Sequence, residues 1–265
     1  MREWNEECLT QRGNLLARLA RSDADIRVAQ QLRHEVFFRE RLSRKTGIDE
    51  DRFDAICDHL LVIDTDSTNA GIAVAGGQLV GTYRLLRQEI AERNFGFYSQ
   101  DEFDLAPLIK SKPDLRFLEL GRSCVLAEYR SKNIVELLWQ GIWNYVRHNR
   151  MDVMLGCASF EGADPSQHAS ALSFLAHSAA PPPEWNVVAH PNRHVKMKTM
   201  PLSSIDQRRT FGHLPPLIKG YLRLGCLIGE GAVIDHQFGT VDVLIILPVS
   251  RINPRYFDHF GQPIG

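Results

Sequence analysis

A strand, a turn and a long helix follow one another between Arg116 and His148, and this stretch constrains the fold more than any other. It reads RFLELGRSCVLAEYRSKNIVELLWQGIWNYVRH, an apolar run followed by a polar turn and a segment of helical periodicity. The apolar helix positions are Ile134, Leu137, Leu138, Gly141, Ile142, Tyr145 and Val146. A strand that opens into a helix N-terminus leaves backbone N–H groups pointing outward, where they can bind a phosphate or a carbonyl oxygen. The stretch therefore predicts an α/β fold with a binding site at the junction.

Glu119 and Arg122 lie three positions apart within the strand-like run. Residues at this spacing point to opposite faces of a regular strand. Either the strand is bulged, or one of the two side chains faces away from the site.

LELGRSCV and the helix after it resemble the fourth strand and the cofactor-binding helix of the GNAT N-acyltransferase fold. The likeness is greatest to the branches that use acyl carrier protein, which are acyl-homoserine-lactone synthases, N-acyl amino acid synthases and ornithine acyl-ACP N-acyltransferases. Three further stretches resemble the last branch: LRHEVFFRE (32–40), with Arg33 and Phe37 in its motif positions, FDAICDHLLVID (53–64) and the tail at 217–249.

The resemblance implies a GNAT-like mixed twisted sheet flanked by helices, with a C-terminal α/β extension. It implies one domain over residues 1–265, with a core at about 14–180 and the extension at about 184–265. The predicted elements are strands at 14–20, 60–64, 151–160 and 194–202, helices at 22–40, 166–177 and 214–225, a hairpin turning at Gly76 and Gly77, and two strands around Gly239.

Composition excludes several classes of function. A net charge of −1 gives no electrostatic reason to expect nucleic acid as a partner. The polar N-terminus lacks the apolar region of a signal peptide, and no apolar run approaches the ~18 residues that span a bilayer. We therefore expect a cytoplasmic protein, either free or peripheral at the inner face of the membrane.

Cysteines and histidines show no metal-binding spacing, so no metal site is expected. No permanently bound cofactor is expected either. The cysteines should be free thiols, and Cys124 is better explained as a small buried strand residue than as a nucleophile. The five cysteines are Cys8, Cys57, Cys124, Cys157 and Cys226.

The segment from Arg39 to Asp58 is dense in charge and long for a plain connection, which favours a functional loop over a link. A cationic amino-acid side chain would need carboxylates such as these, and a solvated acidic loop is the alternative. Asp58 and His59 are the better candidates, because the following strand fixes where they point. The loop's acidic residues are Asp49, Glu50, Asp51, Asp54 and Asp58.

Two arginines have competing interpretations. Arg33 is either a solvated helix charge or, from its motif position beside Phe37, a residue that organises the acyl-donor side. Arg84 lies among apolar neighbours, where an unpaired charge is costly, so it must reach solvent or a carboxylate. That carboxylate is either Glu119 or the substrate's own, which makes Arg84 a candidate substrate-binding residue.

The glycine-rich pyrophosphate loop of acetyl-CoA-using GNAT enzymes should fall at residues 130–135, where this chain reads RSKNIV. Close approach of the backbone to a pyrophosphate requires glycine, so the sequence favours acyl carrier protein as donor. Arg130 and Lys132 would meet that partner, whose 4'-phosphopantetheine arm would lie between splayed strands. Backbone N–H groups at Cys124, Val125 and Leu126 would stabilise the oxyanion.

The resulting hypothesis is transfer of a long 3-hydroxyacyl group from acyl carrier protein to the α-amino group of ornithine. Glu119 is the candidate general base, and a structural ion pair with Arg122 is the rival interpretation. The substrate's carboxylate would pair with Arg84 or Arg122, and its side-chain ammonium with Asp58 or the acidic loop. The alternatives are another acceptor, such as glycine or S-adenosylmethionine, and a non-catalytic protein that binds the carrier.

Membrane contact has two candidate surfaces, each of which is otherwise ordinary core. One is the helix at 214–227. The other is the insertion at 90–114, with Phe95, Phe97, Tyr98 and Phe103.

Overall fold

Chain segments alternate between two units of structure. The computed structural model describes residues 8–39, 47–67, 72–130, 132–253 and 256, with the side chains of 39, 132 and 133 left out. Of these described residues, the first unit comprises those between 8 and 91 and between 119 and 150, and the second comprises those between 92 and 118 and between 151 and 256. Residues 151–180 of the predicted core belong to the same unit as the residues of the predicted C-terminal extension, and the single-domain organisation stays a prediction.

The described strands are β1 Thr10–Arg12, β2 Leu15–Leu19, β3 Asp58–Asp64, β4 Ala73–Val74, β5 Gly77–Arg87, β6 Phe117–Val125, β7 Val153–Glu161, β8 Leu227–Asp235 and β9 Thr240–Pro248. The described α-helices are α1 Asp23–His34, α2 Gln88–Glu92, α3 Ala106–Ser111, α4 Lys132–His148, α5 Ala169–Ser178, α6 Gln207–His213 and α7 Pro216–Leu224.

Strands of the first unit are ordered β1, β2, β3, β5 and β6, with β4 paired to β5. Pairing from β1 to β5 is antiparallel. The interiors of β3 and β5 are buried on both faces, which agrees with their nearly continuous apolar sequence. The predicted hairpin is confirmed: Gly76 and Gly77 have φ of +97° and +148°. A side chain at Gly77 would lie 2.1 Å from the Asp64 carbonyl oxygen, so only glycine fits there.

Helix α1 begins at the predicted cap, where the Ser22 hydroxyl accepts a hydrogen bond from the Asp25 N–H. It does not continue regularly to residue 40, because the chain changes to a π-helical turn at Glu35–Arg39. Such turns often occur at functional sites, and this one contains Phe37. Helix α4 packs against β1, β2, β3 and β5.

Strands β7, β9 and β8 of the second unit pair antiparallel in that order. The predicted helix end at Gly225 and the turn at Gly239 are confirmed, with φ of +96° and +63°. Residues 194–202 were predicted to form a strand, and this was wrong. They make one bridge, from Val195 to Ala232, while the Ser173 hydroxyl binds the backbone of residues 197, 199 and 200.

The aromatic insertion contributes to the core of the second unit. Phe97 and Phe103 are 2% and 0% exposed, and Phe95 alone of the four aromatics is largely accessible, at 40%. Ile218, Tyr221 and Leu224 on α7 are also buried. These buried residues of the two candidate membrane surfaces therefore belong to the core, and membrane contact by the remaining residues stays a prediction. Among the residues described above, no helix is long and apolar enough to cross a bilayer.

Candidate active site

Six charged side chains of the first unit form a closed ring of ion pairs in which the charges alternate in sign. The arginines come from α1, β5 and β6, and the aspartates from the segment before β3. In order around the ring the residues are Arg33, Asp49, Arg122, Asp51, Arg84 and Asp54. Three positive and three negative charges make the ring neutral.

Arg33 is the most deeply buried member, at 1% exposed. Its Nη1 and Nη2 atoms each lie 2.8 Å from one oxygen of Asp54, and its Nε lies 2.8 Å from Asp49. Burial is the largest single influence and would raise the pKa of Asp54. The hydrogen bonds and charge of Arg33, with the charge of Arg84 and the Asp51 N–H, together outweigh it and hold that pKa well below its usual range. Arg33 is therefore not a solvated helix charge, which decides against one of its two interpretations.

Asp51 bridges the other two arginines. One carboxylate oxygen lies 2.6 Å from Arg84 and the other 2.9 Å from Arg122. Its first oxygen also accepts the Phe53 N–H at 2.8 Å, so the local turn holds the carboxylate in place. The Asp51 side chain is 22% exposed, against 3% for Asp49 and 5% for Asp54, and it is the corner of the ring that solvent reaches most easily.

Arg122 adopts a left-handed backbone conformation, with φ of +51°. For a residue other than glycine this costs roughly 1–2 kcal/mol, and it interrupts the alternation of β6. The irregular strand agrees with the first of the two explanations for the Glu119 spacing. Nε of Arg122 lies 3.1 Å from Asp49, and with the Asp51 contact this holds the strained residue in place.

Glu119 lies on β6 and is 5% exposed. Burial raises the pKa of the Cys57 thiol to about 12; Arg84 lowers that pKa, and the carboxylates of Glu119, Asp54 and Asp51 raise it. The charge of Glu119 is therefore close enough to Cys57 to change the pKa of its thiol, as the charges of Arg84, Asp54 and Asp51 do. The structure brings Glu119, Arg33, Arg84 and Arg122 into one charged neighbourhood.

His59 and Asp58 are neighbours in β3 and point in opposite directions, as alternation requires. His59 Nε2 lies 3.0 Å from the Asp54 carbonyl oxygen, on the side of the ring. Asp58 instead accepts a hydrogen bond from the Tyr145 hydroxyl of α4. Burial and then the Asp58 carboxylate raise the Tyr145 pKa. The Asp58 carboxylate therefore points away from the ring, and its predicted contact with the substrate's ammonium stays a prediction.

The chain is similar in sequence to known proteins. A family profile described as an acetyltransferase (GNAT) domain matches residues 32–140. An L-ornithine N(alpha)-acyltransferase of Brucella abortus is 54% identical over 255 residues, covering 94% of this chain and 89% of that one. A protein of the same description from Agrobacterium fabrum is 49% identical, covering 97% and 88%. The chain belongs to the L-ornithine N(alpha)-acyltransferase family.

The protein is thus an acyltransferase, and its mixed open sheet flanked by helices is the GNAT-type fold expected from the sequence. The solved structure of an N-acyl amino acid synthase from uncultured soil microbes aligns with 89% of this chain and 91% of its own, with 10% identity and a TM-score of 0.49.

One of the three backbone N–H groups predicted to stabilise the oxyanion donates to another residue of the protein. The Leu126 N–H donates to the Val80 carbonyl at 3.0 Å, so this amide is not an outward-pointing donor as predicted. The reason is that Leu126 continues the pairing of β6 beyond its last strand residue, Val125. Cys124 is 5% exposed, as expected of a small strand residue.

Three further residues were predicted to act in substrate or donor binding. Arg130 is exposed, and its Nε donates to the Val125 carbonyl at 3.1 Å. Phe37 is half-buried in the π-helical turn. The side chain of Lys132 falls outside the described residues, so its predicted contact with the carrier protein stays a prediction.

A second cluster of polar groups in this acyltransferase had no sequence signal, because its members lie far apart in the chain. The ligand atoms of Glu102, Cys157 and Asp242 lie within 4.8 Å of one another, close enough to hold a metal ion. The Cys157 thiol donates to Glu102 at 3.3 Å, and Arg193 donates to the other oxygen at 3.2 Å. Burial and then Asp242 raise the pKa of Glu102 to about 7.

Proposed function

We propose that this acyltransferase moves a long 3-hydroxyacyl group from acyl carrier protein to the α-amino group of L-ornithine, forming lyso-ornithine lipid. The observation that carries the proposal is the 49–54% identity, over nearly the whole chain, to relatives named for L-ornithine and its N(alpha) position. Acceptor and acylated nitrogen are both taken from those names. The other parts of the proposal rest on the residues of this chain.

The reaction needs a proton acceptor, because the α-amino group of an amino acid is an ammonium at neutral pH. We assign this role to Glu119, either directly or through a water. The free amine then attacks the thioester carbonyl, the C–N bond forms, the C–S bond breaks, and the pantetheine thiolate leaves and takes up a proton. Burial of Glu119 supports the assignment, since a desolvated carboxylate is the more basic.

Ornithine would be recognised by the charged ring. Asp51 is the most accessible of the ring's carboxylates, which supports it as the partner of the side-chain ammonium. Arg84 and Arg122 hold Asp51 from two sides and are the cations that we assign to the α-carboxylate. The buried Glu119 carboxylate lies near the same residues, and we assign it to the α-ammonium of ornithine.

The acyl donor is assigned from the missing glycines at residues 130–135. A single phosphate on a carrier protein requires cationic surface rather than a glycine cradle, and the exposed Arg130 supports this assignment. The 4'-phosphopantetheine arm enters as part of the substrate, and no resident cofactor is involved. We place the reaction in the cytoplasm, with the amphiphilic product passing to the inner face of the membrane.

Mass spectrometry of paired reactions tests the proposal. The purified protein is incubated with 3-hydroxyacyl carrier protein or with the matching acyl-CoA, each with an equimolar mixture of ornithine, glycine and other amino acids. Acyl-ornithine from the carrier-protein reaction alone is the expected result. Acyl-glycine would refute the acceptor, and product from acyl-CoA alone would refute the donor. If the protein binds the carrier protein but yields no product, the alternative of a non-catalytic carrier-binding protein would be favoured.

A further inference from the structure

His59 is a buried histidine beside the ring of ion pairs, and the proposed reaction assigns it no role. Its side chain is 2% exposed, and in the antiparallel register of β3 and β5 it lies opposite Arg84. Residues directly opposite in neighbouring strands share a face of the sheet. The imidazole therefore lies on the same side as the charged ring, beside Arg84.

The contacts of His59 determine which of its nitrogens carries the proton. Nε2 lies 3.0 Å from the Asp54 carbonyl oxygen, and a carbonyl can only accept a hydrogen bond. Nε2 therefore carries hydrogen. Burial lowers the pKa of the imidazole, the Asp54 carbonyl raises it and the Arg33 charge lowers it again, with a net decrease. The imidazole of His59 is consequently neutral at physiological pH, and its Nδ1 atom carries a lone pair that can accept a hydrogen bond.

This Nδ1 atom has no hydrogen-bond partner among the residues that the structure describes. A buried acceptor without a donor is destabilising, and native structures rarely keep one without a functional reason. The charged groups around the imidazole are Arg33, Arg84 and Asp54, and these side chains are ion-paired within the ring. An N–H donor on a bound molecule would complete the hydrogen bonding of His59.

We infer that His59 Nδ1 accepts a hydrogen bond from an N–H group of a bound substrate. Two substrates of the proposed reaction carry such a donor: the amine of the amino acid and the amides of the pantetheine arm. The inference rests on the proposed function for these two sources. His59 positions the donor and takes no proton, because an imidazole whose pKa is lowered by burial is a poor base at neutral pH.

Two substitutions separate the two nitrogens. His59→Gln retains an amide N–H near the position of Nε2 and removes the acceptor at Nδ1. His59→Asn retains an acceptor oxygen near Nδ1 and removes the donor to Asp54. His177→Gln is the matched control, since its Nε2 also lies 3.0 Å from a carbonyl, that of Met200, in the second unit.

Steady-state kinetics of the full chain, with ornithine and acyl carrier protein varied separately, measure the effect. Loss of one neutral hydrogen bond should raise the KM of one substrate about 3- to 10-fold in His59→Gln, and His59→Asn should restore most of it. The substrate whose KM changes identifies the N–H source. Both KM values within 2-fold of wild type in His59→Gln, or equal losses in the Gln and Asn variants, would overturn the inference.

Nitrogen NMR of histidine-labelled wild-type protein gives a readout that does not need turnover. The His59→Gln spectrum assigns the His59 signals by their loss. We expect the Nδ1 resonance of an unprotonated nitrogen, which moves when ornithine or a non-hydrolysable pantetheine analogue is added. An Nδ1 signal that neither ligand moves refutes the inference even where ornithine is acylated. Absence of acyl-ornithine with a moving Nδ1 signal refutes the proposed function alone.

Discussion

The two units each bury a group of carboxylates, and these groups respond to burial in opposite ways. In the first unit Asp54 faces Arg33 and Arg84, and its pKa falls below its usual range. In the second unit Glu102 faces Asp242 and Asp235 with Arg193 as the opposing charge, and its pKa rises to about 7. Burial raises both values by itself, so the sign of the shift depends on which charges surround the carboxylate.

The comparison also separates two kinds of site. In the ring of the first unit, opposing charges hold the pKa of Asp54 below its usual range, so this carboxylate keeps its charge at neutral pH. The cluster in the second unit exchanges a proton near neutral pH, and its effect on stability should therefore depend on pH. Four experiments test this difference, in order of decreasing expected effect.

Glu119→Gln tests whether the carboxylate beside the ring does chemistry that the carboxylate in the second unit does not. We expect kcat for ornithine acylation to fall about 10²- to 10⁴-fold, because the amide cannot take the ammonium proton. Glu102→Gln is the matched control and should leave kcat within about 3-fold. If Glu119→Gln retains wild-type kcat, Glu119 is a structural residue and the base lies elsewhere.

Arg33→Met tests the stabilising effect of the closed ring. Removing this guanidinium leaves Asp49 and Asp54 buried with less opposing charge, so the free energy of unfolding should fall by about 3–5 kcal/mol. Urea denaturation measures the change. Arg27→Met is the control, because the Arg27 pair with Glu50 is 58% and 56% exposed and should contribute less than about 1 kcal/mol. Equal losses in both variants would contradict the account of the ring.

Glu102→Gln tests the opposite behaviour in the second unit. The folded-state pKa of about 7 lies above the unfolded value of 4.5, so the native state holds the proton more tightly. Wild-type stability should therefore fall as pH rises from about 4.5 to about 7, and remain at the lower level above that.

The variant cannot ionise at this position and should lack that decline. At pH 8 the Glu102→Gln variant should be about 1–3 kcal/mol more stable than the wild-type protein. Urea denaturation at intervals between pH 4.5 and 8.5 measures both proteins. A decline of the same size in the variant would assign it to other groups.

Arg150→Gly gives the smallest effect and isolates the backbone strain. Arg150 follows α4 and has φ of +52°, almost the value at Arg122, but its side chain is exposed. Glycine there should raise the free energy of unfolding by about 0.5–1 kcal/mol. Arg122→Gly relieves the same strain but loses contacts to Asp49 and Asp51, so it should be destabilised. Thermal unfolding of both variants checks the difference, and stabilisation of both would show that those ion pairs contribute little.

Sequence patterns predicted the elements that depend on local chemistry. The Ser22 cap, the Gly76–Gly77 turn and the helix end at Gly225 each follow from one residue type in one backbone conformation. The pattern failed at residues 194–202, where alternation correctly anticipates that Met197 is buried and Lys196 exposed. Alternation describes which way side chains point, and it does not say whether the backbone pairs with a strand or, as here, with Ser173.

The candidate site divides in the same way. The positions of Glu119, Arg122, Arg33 and Arg84 were available from the sequence, through family resemblance and through the cost of a charge among apolar residues. The arginines' partners in the ring were not, because Asp49 lies 73 positions from Arg122 and nothing local specifies their pairing. Whether Asp58 or His59 points towards the ring also depends on the register of β3. A shift of one residue in that register would exchange the faces on which the two side chains lie.

The sequence by itself determined the family, the strand-turn-helix junction and the charged residues available to the site, because these follow from residue type and short spacing. The tertiary structure alone decided which charges neutralise one another, why the pKa of Asp54 falls while that of Glu102 rises, and which aromatic residues are core. Electrostatic energy depends on distance and burial in space, and both are set by contacts between residues far apart in the chain.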